Sequence, residues 1–106
     1  MKLTGKAKAK FEEWYNSDGV PMTYPHFDDF CMLPEAAQWG VIQDWADSIG
    51  VRIDIVVFYD RMLGYVRGYE VKVNDDNIFN NGDVFETRQE ARNAAIEKLN
   101  ELINEQ

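Results

Sequence analysis

Four residues able to do chemistry stand close together in this sequence: His26, Asp28, Asp29 and Cys31. A histidine beside carboxylates is the pattern of a general base or a metal site, and a thiol needs such a histidine to become a nucleophile. The spacing argues against both. His26 is the only histidine, no further cysteine completes a ligand set, and the adjacent Asp28 and Asp29 diverge along the chain. We expect loop capping from His26 and its carboxylates, and a small packed hydrophobe in Cys31, which lies among Phe30, Met32 and Leu33. The run NDDNIFNNGD, 74–83, has the composition of a calcium loop. With Gly82 at its sixth position, however, Phe79 falls at the third and Arg88 at the twelfth, where oxygen ligands are required. Two turns account for its asparagines and aspartates. The sequence contains no Gly-rich phosphate loop, no nucleophile elbow and no Cys-x-x-Cys. The expectation is therefore no catalytic residue, no cofactor, no metal site and no enzyme.

Charge offers two binding surfaces instead. Eleven bases against nineteen acids give a formal net charge of -8. Lys2, Lys6, Lys8 and Lys10 crowd the first ten residues, and no lysine or arginine follows from Phe11 through Val51. That stretch carries Glu35, Asp44 and Asp47, so a sizeable surface should be negative and should repel phosphate backbones. Such acids serve either solubility or an acidic face for a protein partner. The alternative surface is basic: Arg88, Arg92 and Lys98, with the N-terminal lysines, are the candidates for contact with double-stranded RNA or DNA.

These residues need elements to hold them. At 106 residues the chain has the size of one domain and buries roughly two thirds of its unfolded surface. We read 1–106 as a single α+β domain, with an amphipathic helix in 1–19, an ordered aromatic loop in 20–33 and an α-β-β-β-α core in 34–106. Thr4 caps the first helix, which gathers Ala7, Phe11, Trp14 and Tyr15 on one face. The loop carries Met22, Tyr24, Phe27, Phe30, Met32 and Leu33, too many apolar groups to hang in water. Pro34 opens a larger helix and Gly50 closes it, with Trp39, Val41, Ile42, Trp45, Ala46 and Ile49 on the inner arc and Gln43, Asp44 and Asp47 opposite.

The central strand is Val51–Tyr59, VRIDIVVFY, half-buried at its start and buried on both faces at its end. Its odd positions should meet the helices, while Val56 and Phe58 on the even face need a cover from the aromatic loop or from a second copy of the chain. A tight connection leads to an antiparallel strand from Tyr65 to Val73, with Tyr65 and Tyr69 facing inward and Arg67 an exception on that face. Asp75, Asp76 and Asn77 turn the chain, Ile78 and Phe79 form a short strand, and Asn81-Gly82 signals a hairpin before Val84 and Phe85. The sheet then has three or four antiparallel strands covered on one face by helices, in the order α-α-β-β-(β-β)-α. Thr87 and Glu90 form a capping box for a last helix with Ala91, Ala94, Ala95, Leu99, Leu102 and Ile103 inside.

Two resemblances follow from these pieces. From Gly68 onward, the strand, turn, strand and helix with Thr87, Arg88, Ala91, Arg92, Ala94 and Ala95 resemble the C-terminal half of a double-stranded RNA-binding domain. Gln89 stands where that pattern has a base, and no Gly-Pro-x-His loop lies between the first two strands, so the resemblance implies the topology of that fold. The stretches LPEAAQWGVIQDWADSIGV and FETRQEARNAAIEKLNELI resemble uncharacterised small acidic proteins encoded by phages and prophages of gut bacteria, which implies a mobile-element accessory protein.

The function expected is that of a noncatalytic accessory protein, a protein-interaction module with an acidic surface. Its candidate contacts are Glu35, Asp44, Asp47, Val56 and Phe58. Homodimerisation is a second expectation, and nucleic acid is the disfavoured partner. No apolar run approaches the roughly 18 residues of a membrane span, and the lone cysteine rules out an internal disulfide framework. A cytoplasmic location is the simplest expectation.

Overall fold

Ala7, Phe11 and Tyr15 recur every four residues and are buried as one line of the helix α1 (Gly5–Tyr15). The same rule places Ala91, Ala95, Leu99 and Ile103 on the inner line of α4 (Arg88–Asn104). Between them come α2 (Phe27–Cys31), α3 (Glu35–Ser48), β1 (Ile53–Asp60), β2 (Tyr65–Val73) and β3 (Asp76–Ile78). This computed structural model describes residues 2–17, 24–80 and 82–105. The architecture is mixed α+β, with four helices and a three-stranded antiparallel sheet in the order β1-β2-β3 among the described residues.

The helices lie on one face of the sheet. α4 crosses β2 and β1, α1 packs on α4, and α3 reaches β1. Ile53, Val71 and Val73 meet Ile42, Trp45, Leu99 and Ile103 in the core. Trp45 is fully buried, with Phe11 edge-on at 5.3 Å. Alanines at 91 and 95 let α4 approach the sheet closely. The Thr87 side chain accepts from the Glu90 amide at 3.1 Å, as the capping-box spacing predicts.

The short helix α2 lies in the segment expected to be an aromatic loop. Phe30 is fully buried against Phe11 and Tyr15, at 5.6 and 5.0 Å between ring centroids. The described part of that segment, 24–33, therefore packs on α1, and Met32 is exposed. Met22 lies outside the described residues.

No fourth strand is seen among the described residues. Phe85 makes one isolated bridge to Tyr69, through two main-chain hydrogen bonds of 2.8 and 2.9 Å, and Phe79 is exposed beyond the end of β3. Gly68 makes room for that bridge, since a Cβ there would stand 2.4 Å from the Phe85 carbonyl oxygen. The turn before β3 sits earlier than the sequence implied. Asn74 and Asp75 both take positive φ, 52° and 69°, and connect the paired Val73 and Asp76 in the manner of a tight two-residue turn. Asp76 and Asn77 belong to the strand. Gly82 has φ 87° in the second turn, closed by Asn80 and Asp83 in mutual main-chain bonds; Asn81 lies outside the described residues.

The burial of β1 runs opposite to the expected gradient. Ile53 is buried, Ile55 and Phe58 are half-buried, and Val56, Val57 and Tyr59 are exposed. The strand outruns its cover: α3 and α4 shelter its first half, and the β1–β2 hairpin continues past them. Tyr65, expected inside, is exposed for the same reason, whereas Tyr69 packs against the core. Arg67 is the extra residue of a bulge, because Phe58 pairs with Gly68 and Tyr59 with Val66. The molecule measures 49 × 30 × 19 Å.

Candidate functional site

The two sides of β1 differ. Toward β2, the Arg52 carbonyl accepts from the Asn74 amide at 2.8 Å. On the opposite side, the Ile53 carbonyl accepts from Gln43 Nε2 at 3.1 Å. Main-chain groups alternate along an antiparallel pair, so those of Ile55 and Val57 also point away from β2. The partner of Val57 agrees: Tyr69 turns its own amide and carbonyl to Phe85. β1 is the sheet edge, and among the described residues no strand pairs with this outer side.

Val56, Val57, Tyr59, Met62, Leu63, Tyr65 and Val66 on one hairpin are between 43% and 97% exposed. Met62 and Leu63 sit at the tip, where Asp60 Oδ1 accepts from both of their amides, at 2.9 and 3.1 Å. Asp60 thereby shapes a turn that presents apolar side chains.

Between α3 and α4 a groove of about 220 Å³ opens over the sheet. Ile55, Val57 and Tyr69 line its floor, Trp39 and Gln43 one wall, and Arg88 and Arg92 the other. The Arg88 guanidinium stands 5.3 Å from the centre of the Tyr69 ring, in cation–π range. None of the groove's lining residues is acidic.

The residues singled out from the sequence fall in several places. Arg88 and Arg92 share the groove, but Lys98 lies on the other flank of α4, where it pairs with Glu101 at 3.3 Å. Glu35 receives the Gln89 side-chain amide and pairs with Lys2 at 3.7 Å, which ties the start of α3 to the start of α4. Asp44 accepts from the Tyr24 hydroxyl at 3.2 Å, and Asp47 is exposed. These acids belong to the helical layer, whereas Val56 and Phe58 occupy the opposite face of the sheet, so the set does not form one patch. Val56 remains exposed, and the aromatic segment packs on α1 instead of over it. His26 precedes α2 without capping it through its side chain; Asp28 and Asp29 lie in the first turn, all three exposed. Cys31 is half-buried against the core.

Two tyrosines have altered acidity. Burial, then the neighbouring Tyr24 and Cys31, raise the pKa of Tyr15 above the ordinary 10.0. Burial, then the hydrogen bond to Asp44 and its charge, raise that of Tyr24. Sequence reasoning missed the groove and the free edge. The available signal was Met62-Leu63, an apolar pair in a turn where polar residues are usual.

Among the described residues no helix is long and apolar enough to cross a membrane. No protein-family model, curated protein or solved structure matches this chain.

Proposed function

We propose that this chain is a noncatalytic protein-interaction module that engages its partner through the outer half of the β1–β2 hairpin. The observation that carries the reading is the set of seven exposed apolar side chains on that hairpin, beside a strand edge that is unpaired among the described residues. Single exposed apolar residues are common, whereas a group on one projecting element marks an interaction surface. An open edge invites a further strand, so a protein backbone is the matching partner.

On this reading the acids of α3 keep the chain soluble and away from nucleic acid. The order α-β-β-β-α from α3 to α4 supports a double-stranded RNA-binding-domain-like topology turned to protein binding. A role as a cytoplasmic accessory protein of phage or prophage origin accords with the resemblance above and with the lone cysteine.

The test places a photo-crosslinking residue at Met62 or Tyr65 in the cell that naturally produces the chain. Protein adducts are expected from both positions. Adducts with nucleic acid alone, or none, would overturn the reading.

A further inference from the structure

The groove between α3 and α4 and the free edge of β1 share two residues. Ile55 and Val57 line the groove with their side chains, while their main-chain amides and carbonyls face the open edge. A strand paired there would hang alternate side chains at the mouth of the groove. The volume, about 220 Å³, is below the roughly 300 Å³ at which small-molecule sites begin, and matches an anchoring side chain better than a cofactor.

Charge specifies the anchor further. In a chain of net charge -8 the groove presents two guanidiniums and no carboxylate. Among the described residues neither Arg88 nor Arg92 has an ion-pair partner, although Arg52, Arg67 and Lys98 each have one. Arg88 is also the first residue of α4, where a cation meets the positive end of the helix dipole. An anion in the groove would offset that repulsion and accept planar, paired hydrogen bonds from the arginines.

We infer that β1 accepts an acidic, extended segment of a partner protein as an added strand. An apolar side chain of that segment seats on Ile55, Val57 and Tyr69 beside Trp39, and a carboxylate two positions away meets Arg88 and Arg92. The alternating donors and acceptors of the edge select a peptide over a nucleotide, which has no matching backbone. This inference rests on the protein-binding reading and names the chemistry of the partner.

The test uses the intact chain and a labelled synthetic peptide of about ten residues, the length of a long strand. The peptide is made of serine and threonine, with phenylalanine, leucine or valine at its centre and a glutamate two positions away on each side. One member of this panel is expected to bind, and its counterpart with lysine for both glutamates to bind about tenfold more weakly or not at all. N-methylation of one alternate set of peptide amides should abolish binding while methylation of the other set leaves it. Arg88→Glu with Arg92→Glu should reverse the preference between glutamate and lysine; Arg88 is exposed and Arg92 half-buried, and unchanged circular dichroism checks the fold. Equal binding of the two charge forms, no binding by any member, or an unchanged preference in the double variant overturns the inference. So does a free chain that sediments as a dimer with the Val57 amide protected from exchange, since a second copy then occupies the edge. If the peptides fail while crosslinks from Met62 still capture protein, the acidic-strand inference falls and the protein-binding reading stands; if crosslinking fails too, both fall.

Discussion

Gln38 is the one buried polar side chain among the described residues, and its Nε2 donates to the carbonyls of Phe30, Cys31 and Leu33, at 3.0, 3.2 and 3.1 Å. It closes the C-terminal end of α2, where the Phe30 carbonyl also accepts from the Leu33 amide at 3.1 Å. Gln38→Leu keeps the bulk and removes the donor, so it should cost about 1–3 kcal/mol in urea unfolding, the cost of buried acceptors left unmet. No sequence pattern marks this glutamine. Tyr15 and Tyr24 supply a second residue-level prediction. The Tyr15 hydroxyl donates to the Pro25 carbonyl at 2.5 Å, and both phenols hold their protons more tightly folded than unfolded. Their contribution is therefore complete below the ordinary tyrosine value and is lost as pH climbs through the raised values. Urea midpoints should fall as pH rises above the ordinary tyrosine value of 10.0, and Asp44→Asn should bring the Tyr24 transition back down.

At the scale of elements, local signals and distant partners divide the work. The capping box of α4 depends on residues three apart, so Thr87 and Glu90 were legible in the sequence. The start of α1 was not. Thr4 has the extended backbone of a cap without the side-chain bond. Its place is taken from nearly one hundred residues away: Asn104 Oδ1 accepts from the Ala7 amide at 3.1 Å, and Asn100 Oδ1 from the Thr4 amide at 2.9 Å. Asn104→Ala should cost about 1 kcal/mol, the usual magnitude of a lost cap, and its amide exchange should quicken at the start of α1. The Phe85 bridge gives a sharper case. Gly68→Ala drives a methyl onto the Phe85 carbonyl and Val84, and should destabilise by about 1–3 kcal/mol while disturbing the Tyr69 and Phe85 amides in NMR spectra. The segment 78–85 carries strand-forming residues, yet a chain already turned twice leaves Phe85 only one rung of β2 to pair with.

Across the whole molecule, stability and interaction occupy different ends. Trp45 is buried among the helices and the sheet, so Trp45→Ala should cost about 3–5 kcal/mol in urea unfolding. Met62→Ser at the hairpin tip should change stability by less than about 0.5 kcal/mol, because an exposed side chain has little folded packing to lose. A large loss from Met62→Ser would mean that the tip is packed in the folded chain and is not a free surface. Helix faces at 91–103 and 7–15 were readable because burial repeats with the helical period. The groove was not, because it is made of residues 39–92 meeting across four elements.

From the sequence alone followed the α+β class, the inner faces of α1 and α4, the antiparallel pairing of the first two strands and the acidic balance, since propensity, period and charge act over a few residues or over the sum; on α3, Ile49 was expected inside and is exposed, while Gln38 is buried. Tertiary structure decided which apolar residues of β1 stay outside. Val57 and Ile53 occupy the same face and read alike in the sequence, but Ile53 is buried under the helices whereas Val57 lies on the open floor of the groove between them. Burial depends on where α3 and α4 end in space relative to the hairpin, a length mismatch that no local pattern records. The same geometry sets Arg88 and Arg92 beside the open edge and turns Lys98 away from them.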